Sequence, residues 1–461
     1  MDEPRFSKSF FDEVLSPSWT GRGDFAGATG FSFDSRTLVP GECFVALRTG
    51  GRDGHEFLGD AAERGASGAL VAAPGEGIDL PQATVPDTLR ALQELGAAWR
   101  RRWDGRVIGV TGSCGKTSTK ELLGLLLGGE DTLVSPGNWN NHIGVPLSLL
   151  RLRPEHRTAV IEAGISEGGE MERLAALAAP DVAVVTTIGP AHLEKLGSLE
   201  GIAAEKARFP LAARERVFLG PACADYREFT GADFAGANWV LREVRAEPFA
   251  GRGTVWRIAL EPEADGGPPR VRLRADGEGV GFRAPEGTAG MIENACLAVL
   301  VARAEGVAED LLRERLARWR PASQRGEIVE HGGRLVYADH YNANPASFAD
   351  AAFYFDRRFP DPPRSWVIGS MEELGAESAV WHRKLAAALP VAENDRIFLV
   401  GEMAAEMESV LRGKATAGKV VVAAEAGEIA DAVAAGPGTV FLKGSRKYRL
   451  EKILDSLAAS G

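Results

Sequence analysis

The hydrophobic pattern divides the chain into three stretches of different texture. To about residue 84, apolar and polar positions mix in short runs, and the stretch ends on a Pro/Gly-rich segment, 74–81, that reads as a loop or linker. A helical periodicity over 86–102 then precedes a strand-like run at 107–110, and further β-branched runs follow at 159–163 and 181–188 with helical patterns between them. That alternation predicts a parallel sheet covered by helices. Short strand-like pieces over 237–283 predict an antiparallel subsheet, and a helical pattern from 294 to about 318 closes the region. Beyond Pro321, strand candidates at 335–339, 366–369, 396–400, 420–423 and 439–442 alternate with helical patterns again, predicting a second, doubly wound unit. The expected fold class is therefore α/β in three domains. Residues 1–84 form a small mixed α/β domain, 85–320 a central parallel sheet of the P-loop ATPase type, and 321–461 a doubly wound, Rossmann-like domain. None of the strand candidates in the third region is followed by GxGxxG, which disfavours a dinucleotide site there.

Composition adjusts this picture little. A chain of 461 residues is too long for one ordinary core, which agrees with two to three domains. The net charge of −11 argues against a nucleic-acid binder, yet leaves room for a nucleotide, because a phosphate site needs only a few local donors. Four scattered cysteines (Cys43, Cys114, Cys223, Cys296) form no CxxC pair, which points to a reducing compartment and away from a disulfide framework or zinc site. The N-terminal residues have mixed charge and no apolar core of a signal peptide, and no run approaches the roughly 18 apolar residues of a membrane span. The expectation is a cytoplasmic monomer with no nucleic-acid partner and no membrane insertion.

The strongest chemical signal is Gly112-Ser113-Cys114-Gly115-Lys116-Thr117-Ser118, placed after a strand and before a helical pattern. Glycines there let backbone N–H groups curl around an anion, and the helix start adds its positive end. Lys116 reaches outer phosphates, and the Thr117 hydroxyl can ligate Mg²⁺. This is a shorter GxxGKT form, since position 110 is Val. It specifies ATP handling but no reaction. Glu162 and His192 each follow a strand, so both belong on the carboxyl edge of the sheet. Glu162 is either a Mg²⁺ ligand or a surface glutamate, and His192 either a metal ligand, less expected because hard Mg²⁺ prefers oxygen, or a capping or hydrogen-bonding histidine. Lys206, read from spacing alone, is a solvated helix lysine.

Several segments together resemble the Mur ligases, most closely the branch that adds a terminal dipeptide, and the resemblance spans nearly the whole chain. They are DSR at 34–36, PGECFVAL at 40–47, DGH at 53–55, GNWNNHIGVP at 137–146, AHLE at 191–194, GSLEG at 197–201, DHYNANP at 339–345, SMEELG at 370–375 and KGSR at 443–446. The 137–146 and 339–345 segments are the specific ones. The resemblance implies an ATP-dependent, amide-forming ligase that joins D-Ala-D-Ala to UDP-MurNAc-tripeptide through an acyl phosphate, giving ADP and phosphate. It implies that the first domain binds the UDP end, the central one ATP, and the third the dipeptide.

Residue by residue, the resemblance makes Lys116, His192 and Lys206 catalytic and places Thr117, Glu162, His192 and Lys206 around two Mg²⁺ ions. Lys206 falls on the family lysine that becomes carbamylated. Asn294, Arg325 and Asp339 fall beside adenine and ribose. Ser35, Arg36, Asn138, Asn141, Tyr341, Asn342 and Asn344 fall on the substrates, although the asparagines could equally form turns. Three departures stand out. The family's HNxxN run is here GMIEN at 290–294, so Gly290 occupies the histidine position. DMxELG begins with Ser370, and 164–171 reads GISEGGEM. A sibling ligase or a non-catalytic nucleotide-binding switch are the competing readings.

Overall fold

A computed structural model describes residues 4–243, 249–263, 267–414 and 419–459. Three main sheets follow one another along the chain. In the first, the strands run in the order Ser18–Thr20, Gln82–Thr84, Gly68–Val71, Cys43–Val45, Phe31–Ser32 and are parallel except for the Ser18–Thr20 edge. With strands this short, the core rests on aromatic side chains. Phe10 and Phe11 on helix Lys8–Leu15 meet Phe6, Phe25 and Phe31, with Ser7 capping the helix through the Phe10 N–H. Helix Thr88–Arg102 straddles two units. One face gives Ala91, Leu92, Leu95 and Ala98 to this core, and from its last turn the buried Arg100 donates to Ala178 O, Ala179 O and Asp181 in the central region.

The central sheet has nine strands. Its order is Glu278–Arg283, Arg270–Ala275, Thr254–Glu261, Asn238–Arg242, Arg216–Leu219, Val182–Val185, Arg106–Thr111, Thr158–Glu162, Thr132–Val134. Arg106–Thr111 sits between two parallel neighbours and is buried from Val107 to Thr111, which is why it reads as a continuous apolar run. The predicted antiparallel subsheet is half present. Asn238–Arg242, with Trp239, Val240 and Leu241 all buried, pairs in parallel on both sides. Antiparallel pairing begins at Arg270–Ala275, whose strict exposed–buried alternation marks a sheet with one wet face. The helical pattern from 294 resolves into two helices, Ala289–Ala304 and Glu309–Ala317. The first is buried nearly all round, against helix Lys116–Leu127 and the sheet.

The third sheet runs Glu327–His331, Arg334–Asp339, Val440–Lys443, Ser365–Gly369, Arg396–Val400, Val420–Ala423, parallel except for the first strand. It is the doubly wound α/β unit that the pattern predicts. Among the described residues no helix is long and apolar enough to cross a membrane. In parallel sheets of this kind, ligands collect beyond the carboxyl ends of the strands. The ends that matter here are Thr111 and Glu162 in the central sheet, and Asp339 and Lys443, directly paired in register, in the third.

Candidate active site

Those strand ends open into one cleft of about 820 Å³, walled by the phosphate loop and helix Ala289–Ala304 on one side and by the 339–344 segment on the other. That size suits a nucleotide-scale ligand. The loop turns into helix Lys116–Leu127 at Gly115, which has φ +80° and no side-chain cap, leaving the first N–H groups of the helix to a ligand. A Cβ on Gly115 would lie 2.6 Å from the Asn294 amide, so glycine is needed for space as well as for φ. Lys116 Nζ donates to Gly112 O at 2.8 Å, folded back over its own loop. Burial lowers its pKa, and the nearby Glu162 carboxylate opposes that shift.

Glu162 is 1% exposed and gripped from several sides. Its Oε2 accepts from the Thr117 hydroxyl at 2.9 Å, and its Oε1 accepts from Asn140 Nδ2 at 2.7 Å. Lys120 Nζ stands 3.8 Å from Oε2. Lys120 is wholly buried and also donates to Ser135 O at 2.9 Å and Gly137 O at 2.6 Å, tying the phosphate-loop helix to the start of the 137–146 segment. Sequence reasoning missed it. The available signal was its spacing four residues after Lys116, which puts both lysines on one helix face. Replacing Lys120 with methionine leaves two carbonyls and a carboxylate without their cation. The expected loss is about 3 kcal/mol of folding stability, read from the urea midpoint. An unchanged midpoint would show that the bonds carry nothing.

His192 sits at φ +58° ahead of the short helix Leu193–Leu196, with Nδ1 2.6 Å from Glu373 Oε2 of the third region but without hydrogen-bond alignment. Glu373 is itself at φ +64°, and its carbonyl accepts from Glu194 N at 3.1 Å. Two residues in the left-handed region thus meet where the two regions touch, a placement typical of functional sites. The His192 contact is the largest cause lowering the Glu373 pKa.

Asp339 accepts from the buried Lys443 at 2.5 Å, and the Arg325 guanidinium lies 3.9 Å from the centre of the Tyr341 ring. The asparagines divide between turn and cleft. Asn141 Oδ1 accepts from Ile143 N and Gly144 N, and Asn344 forms a capping box with Ser347 on helix Pro345–Arg358, yet both border the cleft, as do Asn138, Tyr341 and Asn342.

Ser113, Cys114, Thr117, Ser118, Glu162, His192, Asn294 and Arg325 all reach the cleft wall. Gly112, the first residue of the loop, does not line the cleft wall. Ser35 and Arg36 lie elsewhere, and Arg36 is paired bidentately with Asp34. Lys206, on helix Leu199–Leu211, is not solvated: it is 1% exposed, off the cleft wall, and without hydrogen bond or ion pair among the described residues. Burial, then the charge of Lys116, pulls its pKa well down. The Thr117 hydroxyl and Glu162 carboxylate suit one hard cation completed by phosphate and water oxygens. Among the described residues no three His, Cys, Asp or Glu side chains are grouped so as to hold a metal ion by themselves.

Two family models match the chain: the Mur ligase middle domain over residues 110–223 and the Mur ligase glutamate ligase domain over 324–446. The UDP-N-acetylmuramoyl-tripeptide–D-alanyl-D-alanine ligase of Escherichia coli is 32% identical over 93% of each chain. That of Treponema pallidum is 31% identical over 96% of this chain and 97% of its own. Among solved structures, MurF from Acinetobacter baumannii superposes with a TM-score of 0.82 at 27% identity, covering 98% of this chain and 99% of the other. MurF ligase from Thermotoga maritima in complex with ADP gives 0.75 at 26% identity, over 95% and 99%.

Proposed function

The chain belongs to the Mur ligase family, and we propose that it joins D-alanyl-D-alanine to UDP-N-acetylmuramoyl-tripeptide with ATP, in cytoplasmic peptidoglycan precursor synthesis. The observation that carries this reading is the shared cleft. Lys116 and Thr117 on one wall face Asp339, Tyr341 and Asn342 on the other, so a nucleotide and a small acceptor reach the same space. We assign 1–84 to the UDP end of the substrate, with Ser35 and Arg36 contacting it, 85–320 to ATP, and 321–461 to the dipeptide.

The chemistry follows from the difficulty of the bond. A carboxylate has no good leaving group, so the tripeptide carboxylate first attacks the γ-phosphorus of ATP, forming an acyl phosphate as the bond to ADP breaks. The dipeptide amine then attacks the acyl carbon, loses a proton, and phosphate departs with its electron pair. In the first step two anions approach, and Lys116 with the N–H groups at the helix start offsets that repulsion. Thr117 and Glu162 would hold Mg²⁺, which when bound would supply further neutralisation of the phosphates. His192, and Lys206 as a carbamate, would hold a second ion. Asn294, Arg325 and Asp339 bind the nucleoside end. Acyl phosphates hydrolyse, which gives closure of the third region over the central one a purpose, with the Glu373–His192 contact as part of the seal.

Phosphate release assayed with UDP-MurNAc-tripeptide, with and without D-Ala-D-Ala, tests the reading. Release should depend on the dipeptide by at least about tenfold and should not be stimulated by D-Glu, lysine or folate. Stimulation by one of those instead would move the chain to a sibling ligase, and ATP binding with no phosphate under any acceptor would make it a switch.

A further inference from the structure

The helix start beside the cleft holds an unusual contact. Helix Ala289–Ala304 is capped from within by Thr288, whose hydroxyl accepts from Met291 N at 3.2 Å. Its first two N–H groups have no acceptor of their own, as at any helix start. Here they donate across the cleft: Ala289 N to Asp350 Oδ1 at 3.2 Å and Gly290 N to Asp350 Oδ2 at 2.9 Å. Asp350 lies on helix Pro345–Arg358 of the third region, so one region's carboxylate caps the other region's helix. A carboxylate there also meets the positive end of the helix dipole.

Two further observations support the same arrangement. Asp350, Tyr354 and Arg358 are spaced four apart on one helix face, and all three meet the 286–290 segment. Tyr354 and Arg358 both reach Glu286, at 3.3 and 2.8 Å. Position 290 is glycine, and a Cβ there would lie 2.8 Å from Asp350 Oδ2. The carboxylate therefore occupies the space that any side chain at 290 would require.

We infer that Asp350 is a positioning residue: by capping helix Ala289–Ala304 from across the cleft, it sets the spacing between the wall carrying Asn294 and the wall carrying Asp339, Tyr341 and Asn342, and so pre-forms the nucleotide site. Gly290 is its steric partner. The inference rests on the proposed use of ATP, but its test reads binding alone. Pre-organisation of this kind lowers the cost of binding, so its loss appears in affinity before it appears in turnover.

The experiment is a double-mutant cycle on the full chain, with the Kd for ADP measured by titration calorimetry and kcat and KM for ATP alongside. Asp350→Ala should weaken ADP about tenfold and raise KM for ATP by a similar factor, with kcat within about threefold of wild type. Asp350→Asn, which keeps one acceptor oxygen, should recover part of the loss. Gly290→Ala should weaken ADP about as much as Asp350→Ala by displacing the carboxylate, and should change nothing further when Asp350 is already alanine. Losses that simply add in the double variant, or an unchanged Kd in Asp350→Ala, would overturn the inference. Absence of dipeptide-dependent turnover in wild type would instead strike the proposed function and leave the binding cycle readable.

Discussion

Replacing Lys116 with alanine is expected to lower dipeptide-dependent phosphate release by about 1,000-fold or more, with a far smaller effect on ADP binding. The argument is one of available charge. The other strong cations on the cleft wall are engaged: Lys443 with Asp339, Arg242 with Glu293 at 2.6 Å, and Arg325 over the Tyr341 ring. Lys116 donates to a backbone carbonyl of its own loop, a neutral acceptor that it can exchange for a phosphate oxygen at little cost. Its partial burial makes that exchange more favourable, because a partly desolvated ammonium gains more from an anion than one in water. The charge it faces is greatest while the phosphoryl group is in transfer. Removing it should therefore fall on kcat more than on nucleotide affinity. Lys116→Arg should stay at least about 100-fold impaired, because a planar guanidinium cannot replace a compact ammonium beside the Gly112 carbonyl. Near-normal phosphate release from the alanine variant would remove the phosphate loop from the reaction and the proposed function with it.

The parts of this arrangement that were legible in the sequence are those set by local rules. The phosphate loop needs a strand, glycines and a helix start in immediate succession, and all are contiguous over 106–127. Glu162 was readable because a strand end fixes a direction. The residues that escaped are those whose role depends on a distant segment. Asp350 looks like a solvated helix aspartate until helix Ala289–Ala304 is brought against it, some sixty residues away. Lys120 looks like the polar face of a helix until the 135–137 carbonyls close on it. Glu373 stood inside a quoted motif, yet its meeting with His192 depends on how two sheets face one another. Spacing alone misjudged Lys206, because local pattern does not reveal which helix face a neighbouring element covers. Helix Leu199–Leu211 packs against both helix Glu170–Ala178 and strand Val182–Val185, and Lys206 is buried there.

That burial underlies the second large effect: Lys206→Ala is expected to lose about 100- to 1,000-fold in kcat, and the loss should be partly reversed by a small carboxylate such as formate. An ammonium buried without an acceptor, and repelled by Lys116, is strongly disfavoured, so the amine is held neutral to an unusual degree. A neutral amine has a free lone pair and attacks CO₂, forming an N–C bond and releasing a proton as the carbamate anion appears. The product reverses the local charge. Repulsion from Lys116 would become attraction, and two oxygens would become available to a hard cation, where the described residues offer no group of three His, Cys, Asp or Glu side chains able to hold one. Because carbamate formation consumes the neutral amine and releases a proton, occupancy should rise with pH and fall as the medium is acidified. Stripping CO₂ from the buffer near pH 8 should therefore lower wild-type kcat by at least about tenfold, and bicarbonate should restore it. Lys206→Arg should be inactive and unresponsive to either addition, because a guanidinium stays protonated and cannot take up CO₂. Turnover indifferent to CO₂, together with a Lys206→Ala variant that keeps wild-type kcat, would leave Lys206 as a packing residue and require the second cation to find its ligands elsewhere.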